Sequence, residues 1–293
     1  MPELPEVEVV VRSLRPYLLG KEIVKLERWR EKSLPQNLVE AEGRSLGAKV
    51  IGVTRRAKFI DIILENGMHI LTHLKMTGQL IYAGESEEQT AGGGHPTSDW
   101  RAQLPGKHTR LTWTLLDEKG KRSHLYFNDQ RVFGWMQVLS ESEVAEKYYQ
   151  KLGPDANTAE FTSEYLAGKL TKKRIPIKVA IMDNEIVCGL GNIYAAEACF
   201  GAGIDPRRAA NSLSENELQK IVTEAKKVLA LAIEEGGTTF DGKYVDADGQ
   251  SGRMVEKLQV YGRAGQLCYK CGATLELIKL GGRATVFCPG CQK

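Results

Sequence analysis

Residues 268–291, CYKCGATLELIKLGGRATVFCPGC, carry two Cys-x2-Cys pairs separated by sixteen residues. Each pair can form a tight turn that directs two thiolates at one metal ion, so the spacing predicts a tetrahedral zinc site made by Cys268, Cys271, Cys288 and Cys291. Disulfides are the alternative, but a chain without a secretion signal favours a metal. Because four thiolates leave no open coordination position, this zinc should stabilise a β-hairpin and perform no chemistry.

The hairpin between the cysteine pairs has its predicted turn at Gly281 and Gly282. Arg283 follows directly and should project from the tip, where a guanidinium can bind phosphate. Residues 251–293 hold seven basic residues against two glutamates, and residues 169–178 hold five basic residues and no acid. Both stretches could neutralise phosphates, although a solvated charged face would have the same composition.

The overall composition is that of a folded globular chain. It has 293 residues, 42% of them hydrophobic and 26% charged, which is enough for two domains with their own cores. No stretch approaches the roughly 20 uncharged apolar residues that span a bilayer, and the first residues do not resemble a signal peptide. We therefore expect a cytoplasmic protein with no membrane partner. We also expect the protein to act as a monomer.

Outward from the zinc hairpin the pattern is first helical and then, nearer the N-terminus, rich in β-branched residues. We predict three domains: a largely β domain at 1–139, a helical domain at 140–258 and the zinc finger at 259–293. The helical segments include SEYLAGKL, NIYAAEACFGAG and SENELQKIVTEAKKVLALAIEEGG. Cys188 and Cys199, in the helical domain, should be ordinary buried cysteines.

The β domain opens with a helix and continues with hairpins. Pro5 suits a first helical turn, and the valines and leucine that follow at helical spacing should be buried. Asn66-Gly67 between apolar runs predicts one hairpin, and LTWTLLDEKGKRSHLYF predicts a second. Residues 83–107 are predicted to form a long exposed loop without a regular element, and residues 236–252 a glycine-rich loop.

Three separated segments, PELPEVE, MDNEIVCGLGNIYAAEACFGAGIDP and GGRATVFCPGCQK, resemble the formamidopyrimidine-DNA glycosylase family. The similarity extends through RRAKF, HLKMTG and NDQRVFG, so it covers nearly the whole chain. It implies an α+β multidomain fold: a β-sandwich domain with an N-terminal helix, a helix-two-turn-helix domain and a zinc-finger β-hairpin. It also implies base excision repair, with double-stranded DNA that contains a damaged base as the partner.

The resemblance further implies the catalytic residues. Removal of Met1 would expose the secondary amine of Pro2, which is partly unprotonated near neutral pH and therefore nucleophilic. Glu3 would act as general acid and base, with Glu6 supporting it. Lys58 would bind phosphate or the sugar oxygen near the reacting carbon. Arg283 would bind the phosphate at the lesion and assist the later elimination. Without the resemblance, Pro2 and Glu3 are simply good helix-start residues.

Further residues match the positions at which the family contacts DNA. Lys173, Asn192 and His108 match phosphate-contacting positions, and Asn192 could instead be an ordinary helix cap. Met76, Arg131 and Phe133 match a trio that fills the stack after a base is extruded, and core packing is the alternative for Met76 and Phe133.

Catalysis should need no soluble cofactor, since GLGNIY opens a helix without the preceding strand of a dinucleotide fingerprint. The resemblance implies removal of 8-oxoguanine and formamidopyrimidines, followed by strand cleavage through β,δ-elimination. An endonuclease VIII-like glycosylase for oxidised pyrimidines is an alternative that the N-terminal PELPE disfavours. A non-catalytic zinc-dependent DNA-binding protein is another, and in that case Pro2 would stay capped by Met1.

Overall fold

A computed structural model of the chain describes residues 2–84, 90–94, 104–238 and 252–293. The chain divides into two compact units. The first comprises Met1–Gln150 and Gly236–Arg253, and the second comprises Lys151–Glu235 and Met254–Lys293. Among the described residues no helix is long and apolar enough to cross a membrane.

The first unit begins with helix α1, Leu4–Leu18. Glu3 caps this helix and forms a capping box with Glu6, and Pro5 lies in the first turn, where its missing N–H costs nothing. The apolar side chains predicted to be buried are buried, namely Val7, Val10, Val11 and Leu14. The chain leaves the helix just before Gly20, which adopts a positive φ of 76°.

Two antiparallel sheets form a sandwich, and their facing side chains make one core together with α1. The predicted hairpins are confirmed: paired strands at Phe59–Leu64 and Met68–His73 flank Asn66-Gly67, and Thr109–Leu116 pairs with Arg122–Asp129. The five-stranded sheet has the order β1 (Glu22–Arg28), β7 (Thr109–Leu116), β8 (Arg122–Asp129), β5 (Gly78–Ala83) and β6 (Thr90–Gly94). The four-stranded sheet has the order β2 (Val50–Arg56), β3 (Phe59–Leu64), β4 (Met68–His73) and β9 (Trp135–Ser140). Helices α2 (Leu38–Ser45) and α3 (Glu141–Val144) complete the unit.

Strand β6 corrects the prediction that residues 83–107 contain no regular element. It pairs with β5 and has the sequence TAGGG, which predicts a loop because glycine weakens strands. The reason is close packing of backbones: a Cβ on Gly92 would lie 2.0 Å from the carbonyl oxygen of Leu80. Residues 85–89 and 95–103, Met1, and 239–251 of the predicted glycine-rich loop lie outside the described part of the chain.

The second unit is helical and ends in the zinc-finger hairpin. Its helices are α4 (Ser163–Leu170), α5 (Ile177–Ala180), α6 (Asn192–Ala202) and α7 (Glu215–Glu234). The hairpin consists of β10 (Glu276–Leu280) and β11 (Arg283–Phe287), which turn at Gly281 and Gly282 as predicted. Side chains from α6, including Ala196 and Phe200, share a small core with the hairpin and the cysteines.

Candidate functional site

The N-terminal end of α1 places Pro2 and Glu3 in buried positions. The Glu3 N–H donates to Oε2 of Glu6 at 2.8 Å, and Oε1 of Glu6 accepts from the Thr238 N–H at 2.9 Å. The Glu6 carboxylate therefore joins the first residues of the chain to the segment that enters the glycine-rich loop. This fixed backbone holds Glu3, and through it Pro2, in one position relative to that segment.

Lys58 lies in the turn between β2 and β3 and is buried, with 8% of its surface exposed. Arg55 ties this turn to α1, because its Nη1 donates to the Ala57 carbonyl at 2.9 Å and its Nε donates to Glu8 at 3.0 Å. Burial alone would raise the pKa of Glu8, but the hydrogen bonds from Arg12 and Arg55 outweigh it, so the net effect is a lowered pKa. Glu8 therefore stays ionised in its ion pair with Arg55. Lys58, a catalytic residue implied by the resemblance, therefore lies in a turn that Arg55 ties to α1. Pro2 and Glu3 directly precede this helix.

Met76, Arg131 and Phe133 come together on the first unit, although 55 positions separate the first two in the chain. Arg131 Nη1 lies 3.2 Å from the Met76 sulfur, and its guanidinium carbon lies 4.6 Å from the centre of the Phe133 ring. Met76 is 42% exposed and Phe133 is 51% exposed. These side chains form a projecting cluster on the surface, not part of the core.

His108 lies at the base of the same cluster. Its carbonyl accepts from the Asp129 N–H at 2.9 Å, and Asp129 is the residue from which the loop carrying Arg131 departs. Burial, then the charges of Arg110 and Lys107, lower the pKa of His108, so its ring is neutral at neutral pH. A neutral imidazole can still donate one hydrogen bond to a phosphate.

His73 is a residue that the sequence analysis did not single out. Its Nδ1 accepts from the Lys75 N–H at 3.0 Å, so the ring proton is on Nε2. Burial, then the charges of Lys75 and Lys58, lower its pKa to about 3. The only sequence signal was its place in HLKMTG, one of the motifs that carry the resemblance.

In the second unit, Asn192 is joined to the zinc-finger hairpin. It is the first residue of α6, and Gly191 occupies the cap position, so the interpretation of Asn192 as a helix cap is wrong. Its Nδ2 donates to the Ala284 carbonyl at 3.0 Å, and its Oδ1 accepts from Lys178. Ala284 is next to Arg283, whose side chain is exposed at the hairpin tip.

Lys178 does not fit either interpretation of the basic run at residues 169–178, as a stretch that could neutralise phosphates or as a solvated charged face. Its side chain is 1% exposed, and its ammonium donates to Asn192 and, at 3.0 Å, to the Thr285 hydroxyl. Lys173, in contrast, lies in the turn after α4 and is exposed. Only the exposed part of the run can neutralise a ligand, whereas Lys178 holds α5, α6 and β11 together.

The four predicted zinc ligands meet at one point, and their sulfur atoms all lie within 4.8 Å of one another. The sulfur of Cys268 lies 3.8 Å from that of Cys291, and the sulfur of Cys271 lies 3.4 Å from that of Cys288. Zinc–sulfur bonds of about 2.3 Å in a tetrahedron place sulfurs about 3.8 Å apart, whereas a disulfide needs about 2.05 Å. The cluster therefore fits one structural zinc and not disulfides.

Cys188 and Cys199 are fully buried, as predicted, and lie outside this cluster. Burial raises the pKa of Cys199 to about 12, which keeps it an unreactive thiol. Glu197, on α6, was not identified from sequence. It accepts hydrogen bonds of 2.8–3.0 Å from the backbone N–H groups of residues 259–261, just before the zinc-finger hairpin.

Comparison with known proteins agrees with this arrangement. Residues 1–136 match the formamidopyrimidine-DNA glycosylase N-terminal domain, residues 152–243 the helix-two-turn-helix domain of that glycosylase, and residues 265–293 a zinc finger found in it and in IleRS. The formamidopyrimidine-DNA glycosylase of Shewanella halifaxensis is 39% identical over 293 residues, which cover both chains completely.

Solved structures of the Lactococcus lactis enzyme match along the whole of both chains at 30% identity. One complex holds N7-benzyl-Fapy-dG-containing DNA and has a TM-score of 0.84. Another holds DNA with an oxidized pyrimidine and has a TM-score of 0.83. The β-sandwich with its N-terminal helix, the helical domain and the zinc finger are all accounted for by this likeness. The chain therefore belongs to the formamidopyrimidine-DNA glycosylase family.

Proposed function

We propose that this DNA glycosylase removes 8-oxoguanine and formamidopyrimidines from duplex DNA and then cleaves the strand at the resulting site. The observation that carries the proposal is the buried start of α1, where Pro2 and Glu3 are held in place by Glu6. The turn that bears Lys58 is tied to the same helix by Arg55. A nucleophile, an acid–base group and a cation are the groups that this chemistry needs.

The first step is attack of the Pro2 nitrogen, freed by removal of Met1, on the sugar C1′. The bond from C1′ to the base breaks, its electron pair leaves with the base, and the base takes up the proton that the Pro2 nitrogen loses. Glu3 protonates the sugar ring oxygen as the ring opens, which leaves an iminium between Pro2 and C1′. Lys58 stabilises the negative charge that develops on nearby oxygens.

The iminium acidifies the neighbouring C2′ proton. Loss of that proton expels the 3′-phosphate by β-elimination, and a second elimination expels the 5′-phosphate. Arg283, exposed at the tip of the zinc-finger hairpin, would bind the phosphate beside the lesion and assist the second elimination. Water finally releases Pro2 from the sugar fragment. No soluble cofactor enters any of these steps.

The remaining predicted residues position the double-stranded DNA. We assign phosphate contacts to His108, Lys173 and Asn192, which present a neutral imidazole, an exposed ammonium and an amide beside a helix N-terminus. The projecting cluster of Met76, Arg131 and Phe133 would fill the stack that the extruded base leaves. Cys268, Cys271, Cys288 and Cys291 would hold a zinc ion that supports the hairpin carrying Arg283, and four thiolate ligands would leave that ion no open position for catalysis.

A single-turnover excision assay tests the proposal. Three duplexes are used, which carry 8-oxoguanine opposite cytosine, a formamidopyrimidine, or an oxidised pyrimidine. The Glu3→Gln variant is compared with the parent. Glu118→Gln is the control, because it changes an exposed glutamate in a hairpin turn. We expect the parent and Glu118→Gln to release both purine lesions, and Glu3→Gln to be at least about 100-fold slower, the usual range for losing a general acid–base group.

Removal of oxidised pyrimidines is a second candidate activity, favoured by the solved Lactococcus lactis complex with an oxidized pyrimidine. Faster release of the pyrimidine than of either purine would make it the main activity and contradict the proposal. Tight binding to all three duplexes without release of any base would instead identify a non-catalytic DNA-binding protein.

A further inference from the structure

We propose that Asp129 is a positioning residue that locks the two loops of the projecting cluster into one arrangement before DNA binds. The inference rests on the proposed function, because it assigns a role in base extrusion to the cluster of Met76, Arg131 and Phe133. Asp129 is completely buried at the end of β8, and its carboxylate accepts hydrogen bonds from loop backbone N–H groups and from the Thr77 hydroxyl.

The fold places the two loops side by side. Residues 74–77 lead from β4 to β5, and residues 130–134 lead from β8 to β9, so each loop crosses from one sheet to the other. His73 pairs with Trp135 at one end of the crossing, and Gly78 pairs with Asp129 at the other. The two connections are therefore held at both ends by neighbouring strands.

The Asp129 carboxylate binds both loops. Its Oδ2 accepts from the N–H groups of Phe133 at 2.8 Å and Gly134 at 2.7 Å. Its Oδ1 accepts from the Arg131 N–H at 3.1 Å and from the hydroxyl of Thr77 in the other loop. The Thr77 hydroxyl also accepts from the Arg131 N–H at 3.1 Å, so Thr77 links the first loop to the second by hydrogen bonds.

Both loops contain a backbone conformation that needs such support. Lys75 has a φ of 52° and Val132 a φ of 55°, in the left-handed region that a β-branched residue rarely adopts. The loops also pack backbone against backbone, since a Cβ on Gly134 would lie 3.0 Å from the carbonyl oxygens of both His73 and Leu74. Four hydrogen bonds to one buried carboxylate maintain this arrangement.

The consequence is a cluster that is already assembled. With both backbones fixed, the Arg131 side chain contacts Met76 and Phe133 at the same time. A cluster assembled in advance does not have to be ordered while the base leaves the stack, so extrusion is faster. Loss of the carboxylate should slow extrusion and leave the reaction of Pro2 with an exposed sugar unchanged.

The test separates these two steps. In Asp129→Asn, the amide would direct N–H groups at backbone N–H donors, which breaks one side of the carboxylate's contacts. Thr77→Val removes only the link between the loops, and Thr77→Ser restores the hydroxyl. The measurements are the stopped-flow fluorescence of 2-aminopurine placed beside 8-oxoguanine in a duplex, single-turnover excision on that duplex, and borohydride trapping on a single-stranded abasic oligonucleotide. Thermal unfolding checks that each variant folds.

We expect Asp129→Asn to slow the fluorescence change and duplex excision roughly 10-fold or more, and Thr77→Val roughly 3- to 10-fold, as for loss of buried hydrogen bonds. Thr77→Ser should resemble the parent, and single-stranded trapping should change less than about 2-fold. Unchanged duplex rates, or equal losses on both substrates in Thr77→Val, would overturn the inference while leaving the proposed function intact. A parent that neither excises nor traps would refute the proposed function and the inference with it.

Discussion

Replacement of Lys178 by methionine tests whether the second unit positions Asn192 through a buried cation. The substitution keeps the length of the apolar stem and removes the ammonium, which donates to Asn192 and to the Thr285 hydroxyl. Because Lys178 is 1% exposed, water cannot readily replace the lost donor. Each buried polar group that loses its partner costs about 1–3 kcal/mol, so we expect the losses at Asn192 and Thr285 to destabilise the unit by about 2–6 kcal/mol.

The same change should weaken DNA binding without removing a phosphate contact. Asn192 would keep its hydrogen bond to Ala284 but lose the donor that fixes its carbonyl oxygen. A loss of about 1–2 kcal/mol in binding corresponds to roughly 5- to 30-fold in affinity. Lys173→Met is the matched control, since Lys173 is an exposed cation of the same unit. It should leave stability within about 0.5 kcal/mol of the parent.

Salt dependence distinguishes the two variants. Loss of one phosphate-contacting cation reduces the slope of log affinity against log salt by about 0.9. We expect this reduction for Lys173→Met and an unchanged slope for Lys178→Met, measured on a duplex with an abasic-site analogue by fluorescence anisotropy at several salt concentrations. A reduced slope for Lys178→Met together with an unchanged thermal midpoint would mean that Lys178 contacts phosphate itself, which would refute the positioning argument.

Three further predictions concern packing, the metal and pH. Gly92→Ala should lower the thermal midpoint by several degrees, because the new Cβ would lie 2.0 Å from the Leu80 carbonyl oxygen. Gly43→Ala is the control and should not lower the midpoint, because a Cβ there meets open space. Equal midpoints for the two variants would contradict the tight β5–β6 contact. Metal analysis should find one zinc per chain, and removal of the zinc by a chelator should abolish tight DNA binding. A chain that is folded, reduced and binds DNA without zinc would contradict the structural role of the metal. The pKa of His73 is lowered from its ordinary 6.5 to about 3, so the unfolded chain binds the extra proton between these values. The free energy of unfolding should therefore fall as pH falls through that window, by at most about 1.4 kcal/mol per pH unit. In His73→Gln the free energy of unfolding should depend less steeply on pH. An equal pH dependence in the parent and the variant would show that His73 is not buried in its neutral form.

The parts of the fold that follow from local chemistry could be predicted from the sequence. The hairpin at Asn66-Gly67 and the turn at Gly281-Gly282 depend on residues that are adjacent in the chain. The zinc cluster depends on two short spacings, and the buried face of α1 on helical periodicity. Each of these signals is complete within a few residues, so no knowledge of tertiary contacts was needed.

The features that could not be predicted depend on residues distant in sequence. Glycines favour a loop at residues 90–94, but close approach of the β5 backbone requires them in a strand. Lys178 belongs to a basic run, yet Asn192 and Thr285 surround it in the fold. Asp129 and Thr77 lie 52 positions apart, and nothing in either motif indicates that one hydroxyl joins the two loops.

Borohydride trapping on a duplex with one 8-oxoguanine shows directly whether Pro2 is the nucleophile. The reagent reduces an iminium between protein and sugar to a stable bond, and peptide mass spectrometry locates that bond and shows whether Met1 has been removed. We expect a crosslink at Pro2 in the processed protein, its loss in Pro2→Gly at matched DNA binding, and base release and strand cleavage in the parent. A crosslink at another residue, or base release by the processed parent without any crosslink, would show that Pro2 is not the nucleophile.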